Sequence, residues 1–207
     1  MIGEPPLLPV FFKMGGRPCL VIGGGNIALE KIRVLLESES AVCAIAPEAL
    51  PEIEQLARDG KIIIRRKLYE ANDLAGFAFV IAATNDQALN HRVHADAQAQ
   101  GRLVNVVDDP QYCDFYFGSI VRRGALQIGI STSGESPAFA QQLKREIEQA
   151  LPPDTDSWLG RLGEMRRRIN QKVPPGPERV SLLRELARRE TCELESCPCR
   201  TLVQGTQ

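Results

Sequence analysis

Hydrophobic positions in the first half of the chain switch repeatedly between two patterns. RPCLVIGG, AVCAIA, KIIIRRK, FAFVIAAT and RLVNVV are short apolar runs rich in β-branched residues. They are continuously apolar, as strands buried on both faces of a parallel sheet must be. Between them, NIALEKIRVLLES sets Ile27, Lys31, Val34 and Leu35 at helical spacing. PEIEQLARDG reads as a helix stopped at Gly60, ANDLAG as a short connector, and DQALNHRVHADAQAQG as a helix of about four turns. Strands separated by helices through a fifth strand indicate a Rossmann-like α/β domain over residues 1–112.

After Pro110 the pattern changes. DFYFGSIVRRGALQIGIST holds two strand-like runs about a turn at Arg122-Arg123-Gly124, with no room for a helix between them. They must pair antiparallel. Ser136 is a natural N-cap with Pro137 at the first helical position, and Phe139, Leu143 and Ile147 recur as one buried stripe. Pro152 and Pro153 end this helix, so residues 113–151 read as a hairpin-and-helix region. Residues 152–190 read as a small helical domain. Trp158, Leu162, Met165 and Ile169 form one stripe, and Val180, Leu183 and Leu186 another, parted by PPGP at Pro174–Pro177. Residues 191–207 are expected to be a mobile tail.

The 207 residues are 43% hydrophobic and 25% charged, enough for a sizeable core. A net charge of −1 gives no reason to expect nucleic acid or an anionic membrane surface as a partner. No apolar run approaches the roughly 20 residues of a membrane helix. MIGEPPLLPVFF lacks the basic start of a signal peptide, so a cytoplasmic protein is expected. Cys19, Cys43 and Cys113 lie in or beside apolar runs and read as small buried hydrophobes. Cys192, Cys197 and Cys199 could bind a soft metal, but they lack paired CxxC spacing and a nearby histidine, and no metal site is assigned. Arg161, Arg166, Arg167, Arg168, Arg179, Arg184, Arg188 and Arg189 read first as a solvated helix face, second as a wall facing an anionic substrate.

Chemistry concentrates at the strand ends. VIGGGNIA contains GxGxxA, with Gly23, Gly25 and Ala28 at the three diagnostic places, directly after the first strand and at the start of a helix. Gly23 permits the tight turn, Gly25 lets backbone approach a pyrophosphate, and Ala28 allows close helix–strand packing. The helix N-terminus then offers unpaired N–H groups to the phosphates. An acid beyond the second strand would bind a ribose 2′-hydroxyl; Glu48 is an offset candidate with no basic residue close by, which favours NAD over NADP. Thr84 and Asn85, at the end of the fourth strand, are placed either to meet the cofactor or to cap the next helix. The fifth strand ends in Asp108-Asp109-Pro110. Asp109, before proline, is a turn initiator, which leaves Asp108 as the better catalytic candidate. His91 and His94 lack a third ligand and read as structural.

The ordered segments LPVFFKMGGRPCLVIGGGNIALEKIRVLLES, AIAP, VIAATND, NVVDDP and FYFGSIVRRGALQIGISTSGESPAFAQQLKREIE resemble the precorrin-2 dehydrogenase family, the dehydrogenase and ferrochelatase portion of siroheme synthase. The resemblance runs from Leu8 to Leu151 and continues more loosely beyond. It implies NAD-dependent oxidation of precorrin-2 to sirohydrochlorin, a step towards siroheme, and in some members insertion of ferrous iron. It also implies a homodimer built through the hairpin and a helical C-terminal domain. The family's essential aspartate falls on Asp108, its cofactor loop on Gly25, Asn26 and Ile27, and a second cofactor contact on Pro47 and Glu48. A serine phosphorylated in some members is replaced here by Thr132. No methyltransferase segment follows, so this chain is not expected to make precorrin-2. Three functions therefore compete: a dehydrogenase, a dehydrogenase that also inserts ferrous iron, and a dinucleotide-sensing module without catalysis.

Overall fold

The computed structural model of the chain describes residues 6–188, which fall into two compact units divided between Phe117 and Gly118. In the first, five parallel strands are β1 (Pro18–Ile22), β2 (Ala41–Ile45), β3 (Ile63–Arg65), β4 (Phe79–Ala82) and β5 (Leu103–Val106). Their order is β3-β2-β1-β4-β5, the doubly wound arrangement anticipated from the apolar runs. Alternate residues of each strand feed opposite cores. Cys19, Val21, Val42, Ala44 and Ile81 pack with α1 (Asn26–Glu37) and α2 (Pro51–Arg58). Leu20, Ile22, Ile45, Val80, Val104 and Val106 pack with α3 (Gln87–Ala99) and with Tyr69, Leu74 and Phe77. Leu20, Ile22, Ile45 and Ile81 are almost wholly buried, each burial stabilising the unit by about 1.5–3 kcal/mol.

Two details depart from the sequence pattern. The buried face of α1 is Ala28, Leu29, Ile32 and Leu35, one position round from the stripe through Ile27, and Ile27 is 40% exposed in the first turn. The KIIIRRK run gives a strand of only three residues, because β3 is the rim of the sheet and Ile63 has no neighbour outside it. Residues 113–117 are tied to this first unit: Asp114 N–H donates to the Val104 carbonyl at 2.8 Å, Asn105 Nδ2 to the Phe115 carbonyl at 2.8 Å, and Phe115 packs edge-on against Phe79.

The second unit begins with an antiparallel hairpin, β6 (Ser119–Arg123) and β7 (Leu126–Ile130). Arg122 and Arg123 belong to the strand, and the turn is Gly124-Ala125. Gly124 has φ 55°, and a Cβ there would lie 1.5 Å from an Asp156 carboxylate oxygen, so both backbone and space demand glycine. The helices α4 (Pro137–Ala150), α5 (Thr155–Lys172) and α6 (Pro177–Leu186) follow. Ser136 caps α4 by accepting from Phe139 N–H at 3.2 Å. The expected α4 stripe is not buried. Ala140 is the buried residue, Leu143 and Ile147 are half-buried, and Phe139 is 59% exposed, because a two-stranded hairpin is too narrow to cover the whole face. Between α5 and α6, Ile169 and Leu186 are buried among Leu162, Met165, Leu182 and Leu183; Leu182 takes the place expected of Val180, which is exposed. Arg161 lies over Trp158, Arg168 pairs with Glu164 at 2.7 Å, and Arg179 donates to the Asn170 carbonyl at 3.4 Å, while Arg166, Arg167, Arg184 and Arg188 are exposed. Arg189 lies outside the described residues. Among the described residues no helix is long and apolar enough to cross a membrane.

Candidate functional site

Strand order reverses between β1 and β4, and the crevice at the carboxyl ends of these strands is where open α/β sheets bind ligands. A cavity of about 490 Å³ lies there, lined by the glycine loop, by Pro47 to Pro51, by Lys67 to Tyr69, and by Ala83 to Asn85.

The three glycines divide the work differently from the sequence reading. Gly23 has φ 130°, and a Cβ would meet the Ala83 carbonyl oxygen at 2.2 Å. Gly24, which the motif leaves as a free position, is equally constrained: its Cβ would meet the Glu48 carbonyl oxygen at 2.2 Å. Its own carbonyl accepts from Leu50 N–H at 2.9 Å, which holds Pro47 and Glu48 against the loop. A Cβ on Gly25 would meet nothing within 4 Å. That free space adjoins the α1 N-terminus, which no side chain caps, and exposed Asn26 and Ile27 flank it. Unpaired N–H groups beside open room are the chemistry that receives a phosphate group.

Glu48 is exposed on the cavity wall. The expectation of no basic residue nearby is corrected: β3 lies beside β2, and this places Lys67 on the same wall. Lys67 Nζ is already engaged, 3.0 Å from Glu70 Oε2 and 3.2 Å from Asp73 Oδ1. The hydrogen bond to Glu70 and then that to Asp73 push the Lys67 pKa up.

Past β4, Thr84 is locked by a residue the sequence did not single out. Buried Asn90 accepts from Thr84 Oγ1 at 2.7 Å and donates to the Thr84 carbonyl at 3.0 Å. The cap of α3 is Asp86, accepting from Leu89 N–H at 3.1 Å, so Thr84 shapes the turn and Asn85 stays exposed on the cavity wall.

Past β5 the two acids separate. Asp108 is exposed at φ 61°, in a turn closed by Asp109 N–H donating to the Val106 carbonyl at 3.2 Å. That position favours glycine or asparagine, so an aspartate there carries strain. Asp109 turns inward: His91 Nε2 lies 2.7 Å from its Oδ2, and Gln111 Nε2 donates to Oδ1 at 3.3 Å. The His91 ring stacks on Tyr112 at 4.0 Å between centroids, and His94 meets Tyr112 edge-on at 5.0 Å. Cys113 is half-buried rather than buried; its thiol donates to the Val106 carbonyl at 3.1 Å, and partial burial pushes its pKa up. Cys19 and Cys43 are buried. Among the described residues no three His, Cys, Asp or Glu side chains gather as a metal cage, and Cys192, Cys197 and Cys199 lie outside those residues.

The His91 hydrogen bond, chiefly, holds the Asp109 carboxyl below the usual carboxylate range. A carboxylate depressed in the folded state stabilises the fold fully above its unfolded pKa of about 3.9, and that contribution is lost as pH falls through the lower folded value. Unfolding midpoints measured across the acid range are therefore expected to decline more steeply for the native chain than for Asp109→Asn. Parallel curves would show that the contact adds nothing.

A family profile described as "Putative NAD(P)-binding" matches residues 10–119, and one described as "Sirohaem biosynthesis protein central" matches residues 123–150. The chain is 41% identical over 167 residues to a siroheme synthase of Methylococcus capsulatus, and 43% over 173 residues to one of Ectopseudomonas mendocina. These alignments cover 81% and 83% of this chain but 35% and 37% of the relatives, so the chain spans little more than a third of their length. A solved structure titled "SirC, precorrin-2 dehydrogenase" is 27% identical with a TM-score of 0.78, the match covering 96% of this chain and 98% of that one. The glycine loop at the switch point and the profile laid over it agree: the chain belongs to the family described as putative NAD(P)-binding, and it is similar to a part of the siroheme synthases and to the structure titled precorrin-2 dehydrogenase.

Proposed function

We propose that the chain is an NAD-dependent dehydrogenase that oxidises precorrin-2 to sirohydrochlorin. The observation that carries this is the open cradle at Gly25 and the uncapped α1 N-terminus, with an exposed, strained Asp108 on the same edge of the sheet. The residues fit a nicotinamide dinucleotide. Gly25, Asn26 and Ile27 would receive the pyrophosphate, Pro47 and Glu48 the adenosine ribose, and Gly23, Thr84 and Asn85 shape the wall towards the nicotinamide. Bound there, NAD supplies a hydride acceptor. Glu48 favours a ribose hydroxyl over a 2′-phosphate, and Lys67, held by Glu70 and Asp73, is not free to counter it. Asp108 takes up the proton that must leave with the hydride. The exposure of Phe139 on α4 and a hairpin of only two strands support a homodimer built at that region.

The test is to supply precorrin-2 with NAD and follow NADH and the sirohydrochlorin spectrum, repeating with NADP. Turnover with a preference for NAD is expected. No NADH from either cofactor rejects the dehydrogenase, and a preference for NADP rejects the role given to Glu48. Ferrous iron insertion is the second reading, supported by the siroheme synthase relatives; insertion above the spontaneous rate on adding iron to the same assay would establish it.

A further inference from the structure

The end of β3 carries three cations in a row, and each is held by a carboxylate. Arg65 pairs with Asp73 at 3.8 Å, Arg66 with Glu54, and Lys67 with Glu70 at 3.0 Å and Asp73 at 3.2 Å. Of the three, Lys67 lines the cavity at the switch point. Its backbone is fixed beside the chain that leads to Glu48. The Arg65 carbonyl accepts from Ala46 N–H at 3.3 Å and from Lys67 N–H at 3.1 Å. Asp73 is buried, and its two oxygens have separate partners. Oδ2 accepts from Glu70 N–H at 2.9 Å, which leaves Oδ1 for Lys67 and Arg65. Glu70 and Asp73 are also reciprocal caps of the 3₁₀ turn Ala71–Leu74, so the fold of that turn sets both acids beside Lys67. Glu48 and Lys67 are the charged residues of the cavity lining. With Lys67 neutralised by its acids, the wall presents a carboxylate.

We infer that Glu70 and Asp73 set the cofactor preference of this cavity, by keeping engaged the lysine on its wall that would otherwise bind a 2′-phosphate. The inference rests on the nicotinamide-dinucleotide reading of the cavity. A ribose 2′-hydroxyl donates to a carboxylate, whereas a 2′-phosphate is repelled by one and needs a cation. A lysine ammonium is such a cation, a point charge on a flexible stem. Its availability therefore decides between the two nucleotides, and the two acids remove it. They act through Lys67 and are positioning residues. Asp73 also faces Arg65, whose guanidinium lies over the Phe77 ring at 5.9 Å and which does not line the cavity.

The experiment is a calorimetric titration of the full chain with NAD and with NADP, so that no turnover enters. The native chain is expected to bind NAD more tightly. The double variant Glu70→Gln, Asp73→Asn keeps an acceptor for Glu70 N–H and removes both charges from Lys67. It is expected to bind NADP about tenfold more tightly than the native chain, with NAD affinity changed by less than about twofold. Adding Lys67→Gln to the double variant is expected to cancel that gain. Glu70→Gln alone, at an exposed position, is expected to give a smaller gain of the same sign, and it decides the matter if the double variant does not fold. Glu54→Gln frees Arg66, which does not line the cavity, and is expected to leave the native preference. An unmoved ratio of NADP to NAD affinity in the double variant, or in Glu70→Gln where the double variant does not fold, overturns the inference. So does a gain that survives Lys67→Gln or that Glu54→Gln reproduces. A native chain that prefers NADP overturns it together with the role given to Glu48. One that binds neither nucleotide rejects the dinucleotide reading on which it rests.

Discussion

Gly23→Ala is expected to abolish cofactor binding and to destabilise the first unit by about 3–5 kcal/mol. Two costs combine. The φ of 130° lies where a side chain is strained, at about 1–3 kcal/mol, and the added methyl group would overlap backbone, at a similar cost. The overlap cannot relax cheaply. The obstructing atom is the Ala83 carbonyl oxygen, and Ala83 N–H is itself bonded to the Ile22 carbonyl at 2.8 Å, so β1 and β4 would have to part. Gly25→Ala is the contrasting variant. Its φ is −89° and its Cβ meets nothing, so the fold should survive while the room for a pyrophosphate shrinks. Denaturant unfolding and a cofactor titration on both variants check this. Equal stability losses would show that the loop is constrained in some other way.

Asp108→Asn is expected to reduce dehydrogenase turnover by about 10²–10⁴-fold while leaving stability within about 1 kcal/mol of the native chain. The backbone makes this a clean test. Asparagine tolerates the left-handed region at least as well as aspartate, so folding gives no reason for loss. Asp108→Gly extends the argument: it relieves the strain, keeps the turn and removes the carboxylate altogether. If either variant keeps native turnover with precorrin-2 and NAD, Asp108 has no part in moving the proton.

The strands were legible because each is a continuous apolar run, and their parallel pairing followed from their alternation with helices, whereas the order β3-β2-β1-β4-β5 is read from the structure. The glycine loop was legible because its constraints are local: a turn, a close approach and a helix start within a few residues. Gly24 was missed, since its constraint is the backbone at Glu48, brought alongside only by the pairing of β1 with β2. Lys67 was missed for the same reason, through β3. Asn90 and His91 sit on a helix of weak amphipathic pattern, and their partners Thr84 and Asp109 come from two different strand ends. The α4 stripe was legible as a pattern, but periodicity does not say how wide a surface the rest of the unit provides to cover it.

The brevity of β3 also bears on solubility. Ile62, Ile63 and Ile64 form a β-prone triplet on an open sheet margin, with Ile63 64% exposed. Such a margin is a template for strand addition by another molecule. Lys61 precedes the triplet, and Arg65, Arg66 and Lys67 follow it. Arg65, Arg66 and Lys67 are paired with carboxylates, and charged side chains crowded beside an open margin act as gatekeepers against an identical margin approaching edge to edge. Their protection weakens as salt screens them, so the chain should associate most readily when refolded at high ionic strength.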